Sequence, residues 1–194
     1  MSAGNALPMT KAYVAHCVGE AVRDHDNTVL CELGCPLDQV RPTAFGSWRD
    51  LPHSGGLGWS LPTAMGMKLA EPDRLIVATM GDGSYMFANP VACHQIAEAN
   101  DLPLLTIVFN NGVWNAVRKT TKMMYPEGKA ARANTMPMSS LDPSPDYAMI
   151  AAASRAWSAT IEDGKDLPDA LDQALKVIRT EKRQAMIEVM VTKD

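Results

Sequence analysis

Two short stretches carry the residues best able to do chemistry: Gly81-Asp82-Gly83-Ser84, and Asn110-Asn111 followed by Gly112. A magnesium ion takes about six oxygens, commonly one or two carboxylates together with amide or backbone carbonyls, water and phosphate oxygens. Asp82 offers the charged ligand and Asn111 a neutral amide oxygen. Gly83 lets the backbone approach closely, and the N–H and hydroxyl of Ser84 at a helix start suit phosphate oxygens. The chemistry implied is the binding of a magnesium diphosphate. Alone, GDG after a strand is an ordinary turn, and NNG is a turn signal in its own right. Only their joint placement on consecutive strands, one helix apart, turns the balance toward a site.

The elements that must position these residues can be read from hydrophobic periodicity. Residues 9–25 carry Ala12, Val14, Ala15, Val18, Ala21 and Val22 at helical spacing. Thr28–Cys31 reads as a short strand running into the turn Glu32-Leu33-Gly34-Cys35-Pro36. A helix is predicted from Trp59 to Ala70, with Pro62 in its first turn, then a strand over Arg74–Met80. Pro90–Asn100 follows as helix and Leu104–Phe109 as strand. The end repeats the theme: strand near Trp157–Ile161, helix Leu167–Thr180, strand Ala185–Val191. Uniformly apolar strands alternating with helices predict an α/β fold, a parallel sheet with helices on both faces. In such sheets ligands sit at the carboxyl ends of strands. Glu32–Cys35, Gly81–Ser84 and Asn110–Trp114 all fall there. No repeat or internal boundary is visible, so residues 1–194 are expected to form a single domain.

Between Lys119 and Asp146 the pattern dissolves into Met, Pro, Ser and Lys, and an irregular loop is expected at about 119–145. A loop of that length is functional, covering something, or a flexible excursion. Met123, Met124, Met136 and Met138 could pack on a partner or line a pocket.

Composition removes several classes. A net charge of −4 without clustered Lys and Arg gives no footprint for nucleic acid. No run approaches the roughly 20 apolar residues of a membrane span. MSAGNALPMTK shows no basic region followed by an apolar run, so a cytoplasmic protein is expected. Cys17, Cys31, Cys35 and Cys93 form no disulfide framework, and Cys31 with Cys35 lacks a second ligand pair at matching spacing for zinc. A nicotinamide-binding Rossmann domain is disfavoured because no G-x-G-x-x-G follows the first strand.

The longer pattern resembles a known family. Gly55-Gly56-Leu57-Gly58-Trp59-Ser60-Leu61-Pro62, Glu71-Pro72-Asp73-Arg74, GDGS at 81–84 and Asn110-Asn111-Gly112-Val113-Trp114-Asn115-Ala116-Val117-Arg118 are similar to the C-terminal, diphosphate-binding domain of thiamine diphosphate enzymes. The nearest group is that of benzoylformate decarboxylase and acetolactate synthase. The similarity follows most of residues 10–192, specific over 55–118 and loose after Lys119. The resemblance implies thiamine diphosphate and Mg²⁺ as cofactors. Asp82 and Asn111 would be side-chain metal ligands, with the backbone carbonyl of Val113 as the third. Gly83 and Ser84 would contact the diphosphate. The Gly55 carbonyl would accept from the aminopyrimidine 4′-amino group, and Leu57 would hold the cofactor bent from beneath. Trp114 would lie near it. Leu57 and Trp114 could equally be core residues.

Two departures stand out. The turn Glu32–Pro36 lacks the Gln and His that acetolactate synthases place near the phosphates. It is nearer the decarboxylase version, in which a hydroxyl residue holds the Cys35 position. There are also two extra residues between Ser84 and Pro103. No catalytic residue is expected in this chain, because the family's activating glutamate comes from a pyrimidine-binding domain for which residues before the first helix leave no room. The resemblance therefore implies an oligomer with that domain or subunit, as in split sulfopyruvate decarboxylases, or else an excised domain of a longer enzyme; the start MSAGN favours the subunit. The expected substrate is a small 2-oxo acid, decarboxylated or ligated. Acetolactate synthase-type or 2-hydroxyacyl-CoA lyase activity, and a non-catalytic module kept for assembly, are the alternatives.

Overall fold

In the computed structural model, residues 7–50, 56–133, 136 and 138–193 are described. Three apolar runs form the middle of the sheet: β1 (Asn27–Glu32), β3 (Leu75–Gly81) and β4 (Leu105–Asn110). Nearly every residue in them is buried, the mark of a sheet covered on both sides. β3 pairs with β1 through Asn27↔Leu75 to Glu32↔Met80, and with β4 through Val77↔Leu105 to Gly81↔Phe109. β6 (Ala185–Met190) pairs with β4, and β5 (Trp157–Ile161) closes that edge against β6. The other edge is β2, two residues long (Trp48–Arg49). All six strands run parallel in the order β2-β1-β3-β4-β6-β5. The expected α/β architecture is therefore observed.

Alternation along the strands sorts the core into two layers. Val29, Val77, Leu105, Ile107 and Ile187 face α1 (Lys11–Val22) and α9 (Leu167–Lys176). Leu30, Ile76, Ala78, Met80 and Val108 face α3 (Ser60–Ala70), α5 (Pro90–Ala99) and α8 (Tyr147–Ala152). Each fully buried Leu or Ile contributes about 1.5–3 kcal/mol of transfer free energy. Helix starts are fixed locally. Thr10 Oγ1 accepts from Tyr13 N at 3.2 Å, and Asp146 Oδ1 accepts from Met149 N at 2.7 Å.

The sequence pattern and the structure part company in several places, among them the short helices α2 (Leu37–Val40), α4 (Asp82–Phe87) and α8. β2 was not anticipated, because two residues carry no period. α6 (Asn115–Met124) runs helically five residues past Lys119, and α7 (Lys129–Arg132) forms within the stretch expected to be irregular. α6 buries none of its residues, so no core stripe marked it. The last predicted helix splits into α9 and a π-helical turn over Val177–Glu181. The short α2 follows β1 and packs against α1 at Gly19, and α4 starts at the residue after β3.

Candidate functional site

Because every strand is parallel, the ends of β1, β3 and β4 deliver Glu32, Gly81 and Asn110 to one edge of the sheet. Asp82 follows directly and is 2% exposed. Its Oδ1 accepts from Gly83 N at 2.9 Å, and its Oδ2 accepts from Gly112 N at 2.8 Å. One carboxylate thus joins the two turns that the sequence singled out, although thirty positions separate Asp82 from Gly112. Burial pushes the Asp82 carboxyl above its ordinary value, and the N–H groups of Gly83 and Gly112 pull it partway back. A buried carboxylate of this kind gains from a cation at its remaining lone pairs.

The Asn110–Val113 turn is equally determined. Asn110 Oδ1 accepts from Gly112 N at 2.9 Å, and Asn111 Oδ1 accepts from Val113 N at 3.0 Å. Gly112 takes φ +65°, and a side chain there would crowd the Asp142 carboxylate. From outside, Ser139 O accepts from Trp114 N and Gly112 O from Leu141 N, both at 2.8 Å. The far end of the 119–145 stretch thus fastens the site. From the sheet side, Asn110 Nδ2 donates to Glu188 Oε1 at 2.7 Å, and Thr160 Oγ1 donates to Glu188 Oε2 at 3.0 Å. Glu188 is buried on β6 and had no signal in the sequence beyond one charge in an apolar strand.

An open cleft of about 230 Å³ lies over these turns. Leu57, Asp82, Gly83, Ser84, Asn111, Val113 and Trp114 all line it. Gly55, the remaining residue of the expected set, lies outside the described residues. The Trp114 ring packs close against Gly83 and meets the Phe87 ring edge-on at 5.3 Å. A larger cavity of about 540 Å³ opens at the opposite end, beside His25, Leu75 and Pro103. It sits where strands begin, whereas parallel sheets bind ligands where strands finish.

In the sequence Glu32 stands only as part of a turn. It is fully buried, with Oε1 accepting from Gly58 N and Oε2 accepting from Ser60 N at 2.8 Å. Gly58 itself has φ +85°, and an added Cβ would come within 2.5 Å of Ala88 N.

The sequence profile described as "Thiamine pyrophosphate enzyme, C-terminal TPP binding domain" matches residues 37–189. The chain belongs to that family. Thiamine pyrophosphate and thiamine diphosphate are one cofactor. Among relatives, sulfoacetaldehyde acetyltransferase of Alcaligenes xylosoxydans xylosoxydans is 29% identical over 140 residues, covering 72% of this chain and 22% of the relative. The acetolactate synthase isozyme 3 large subunit of Escherichia coli (strain K12) is 28% identical over 180 residues, covering 93% of this chain and 28% of the relative. A solved thiamine diphosphate-dependent 4-hydroxybenzoylformate decarboxylase from Rhodococcus jostii RHA1 superposes with a TM-score of 0.80. At 24% identity, over 97% of this chain and 34% of that one, it shows a shared fold. The chain thus spans between about a fifth and a third of these relatives' lengths.

The donor chemistry suits the family's cofactor. Around the cleft it is oxygen-rich and hard: the buried Asp82 carboxylate, the Asn111 and Asn115 amides and backbone carbonyls, a set matched to Mg²⁺ rather than to a soft metal. Among the described residues no three His, Cys, Asp or Glu side chains gather as a metal-binding group. Asn115 Oδ1, on a cleft-lining residue, is buried without a hydrogen-bond partner. Among the described residues, no helix is long and apolar enough to cross a membrane.

Proposed function

We propose that the chain is the diphosphate- and metal-binding part of a thiamine diphosphate-dependent enzyme that decarboxylates or ligates small 2-oxo acids. The observation that carries this reading is the buried Asp82 carboxylate, hydrogen-bonded at once to the GDGS turn and to the Asn110-Asn111 turn. In this reading Asp82 and Asn111 hold Mg²⁺ through their side chains and Val113 through its carbonyl. Gly83 and Ser84 contact the diphosphate. Gly55 and Leu57 meet the aminopyrimidine, and Trp114 flanks the cofactor. When bound, the cofactor supplies a thiazolium carbon that serves as nucleophile and electron sink next to a carbonyl.

The chain's own contribution is to bind and orient. Among the described residues none lining the cleft is placed to trigger the cofactor, so the activating glutamate is assigned to a pyrimidine-binding domain on another segment or subunit. Two features support a partner over this face. At about 230 Å³ the cleft is smaller than the roughly 300–1,000 Å³ of an enclosed ligand site. Its rim also leaves Leu33, Leu57, Phe87 and Val117 exposed, as expected where another surface docks. The acetyltransferase and acetolactate synthase relatives favour ligation, while the decarboxylase shares the fold, so both outcomes stay within the proposal.

Calorimetric titration with thiamine diphosphate in the presence of Mg²⁺ tests the reading. The chain should bind, and Asp82→Ala should lose more than about tenfold in affinity, since even groups outside the first coordination layer are worth 10–100-fold. Unchanged affinity in Asp82→Ala would favour a non-catalytic module instead.

A further inference from the structure

We propose that Glu32 is a positioning residue that sets the Leu57 side of the cofactor site without touching the cofactor. This rests on the thiamine diphosphate reading above. Glu32 ends β1 and is fully buried, beneath a cleft that it does not line. Its two carboxylate oxygens accept from Gly58 N and Ser60 N, 26 and 28 positions away. Hydrogen bonds to an ionised acceptor are about twice as strong as neutral ones. The Gly58 N–H belongs to the peptide unit that also contains the Leu57 carbonyl. Fixing that plane fixes where Leu57 projects into the cleft.

The opposite side of this turn is fixed by exclusion. Gly58 abuts the Phe87–Ala88 backbone so closely that it admits no Cβ, and its φ of +85° is natural to glycine. The segment is thus held between a carboxylate below and the end of α4 beside it. By contrast, the diphosphate end depends on Asp82, Asn110 and Glu188, none of which Glu32 contacts. The hydrogen bonds that hold the two ends of the site therefore share no residue, although both ends meet α4. Glu32 can be altered while the metal–diphosphate end stays formed.

This separation is measurable with two probes, thiamine diphosphate and inorganic diphosphate, each titrated into the chain with Mg²⁺. Glu32→Gln keeps one acceptor oxygen but turns a donor toward a backbone N–H. It should weaken thiamine diphosphate binding about tenfold or more while leaving inorganic diphosphate within about twofold of wild type. Glu32→Asp, which keeps the charge but shortens the reach, should show the same selective loss. Asp82→Ala should lose both probes together. Wild-type affinity for thiamine diphosphate in both Glu32 variants overturns the proposal. So does equal loss of the two probes, or loss of the folded circular dichroism signal in both variants, because Glu32 would then only stabilise the fold. A wild-type chain that binds neither probe overturns the cofactor reading itself, and the proposal with it.

Discussion

At Gly83 an added methyl group would land on the Trp114 ring, well under the 3.0 Å that real Cβ atoms respect. Gly83→Ala should therefore push the indole off its seat and lower stability by about 1–3 kcal/mol, as overpacking does. Tryptophan emission together with urea unfolding checks this, and an unshifted spectrum with unchanged stability would contradict the packing described. Asp82, Gly83 and Asn111 could be read from the sequence because strand patterns and residue types met at the same positions. Glu32 and Glu188 could not. Each acts through a partner 26 or 78 positions away: strand register brings Glu188 to Asn110, and the turn before α3 brings Gly58 to Glu32. A carboxylate at 0% or 4% exposure carries no local mark that separates it from a surface one. The anchoring of Trp114 by Ser139 and of Gly112 by Leu141 is likewise a product of tertiary structure.

Elements with a buried stripe were legible and those without one were not. β1, β3, β4, α3 and α5 match the apolar periods closely. α6 leaves no helical signal because none of its residues is buried, and β2 is too short for any period. α5 also carries His94, whose ring ties three elements together. Its Nε2 meets Tyr85 Oη at 2.6 Å on α4, and its Nδ1 meets Gln184 Oε1 at 2.7 Å just before β6. Burial lowers the His94 pKa below the ordinary 6.5, with the Gln184 contact opposing. The neutral ring is thus the folded form. As pH falls below about 6.5 the unfolded chain takes up a proton that the folded chain refuses. Stability should then drop by up to about 1.4 kcal/mol per pH unit until the lowered folded pKa is reached. Urea unfolding between pH 7.5 and 5.5 should show this slope in the wild type and lack it in His94→Gln. Parallel slopes in the two proteins would remove His94 as the cause.

Taken whole, the molecule presents a well-built floor and an unfinished roof. The exposed Leu33, Leu57, Phe87 and Val117 surround a cleft whose floor includes Asp82 and Asn111 at the strand ends. With thiamine diphosphate, Mg²⁺ and a 2-oxo acid, the lone chain should turn over at less than about a hundredth of the rate of an assembled enzyme, since a positioned proton-transfer group contributes 10²–10⁴-fold. Carbon dioxide release assays measure it, and robust turnover by the chain alone would end the shared-site proposal. The sheet order carries a consequence of another kind. β6 lies between β4 and β5, and Met9 bonds to Met190 and Thr192 beside it. During translation β5 therefore emerges with nothing to pair with, and β4 keeps a bare edge until residues 185–190 leave the ribosome. A nascent or prematurely terminated chain would expose two unpaired strand edges, the kind of surface that recruits other chains into aggregates. β6 is the strand that covers both of these edges, because it pairs with β4 on one side and β5 on the other.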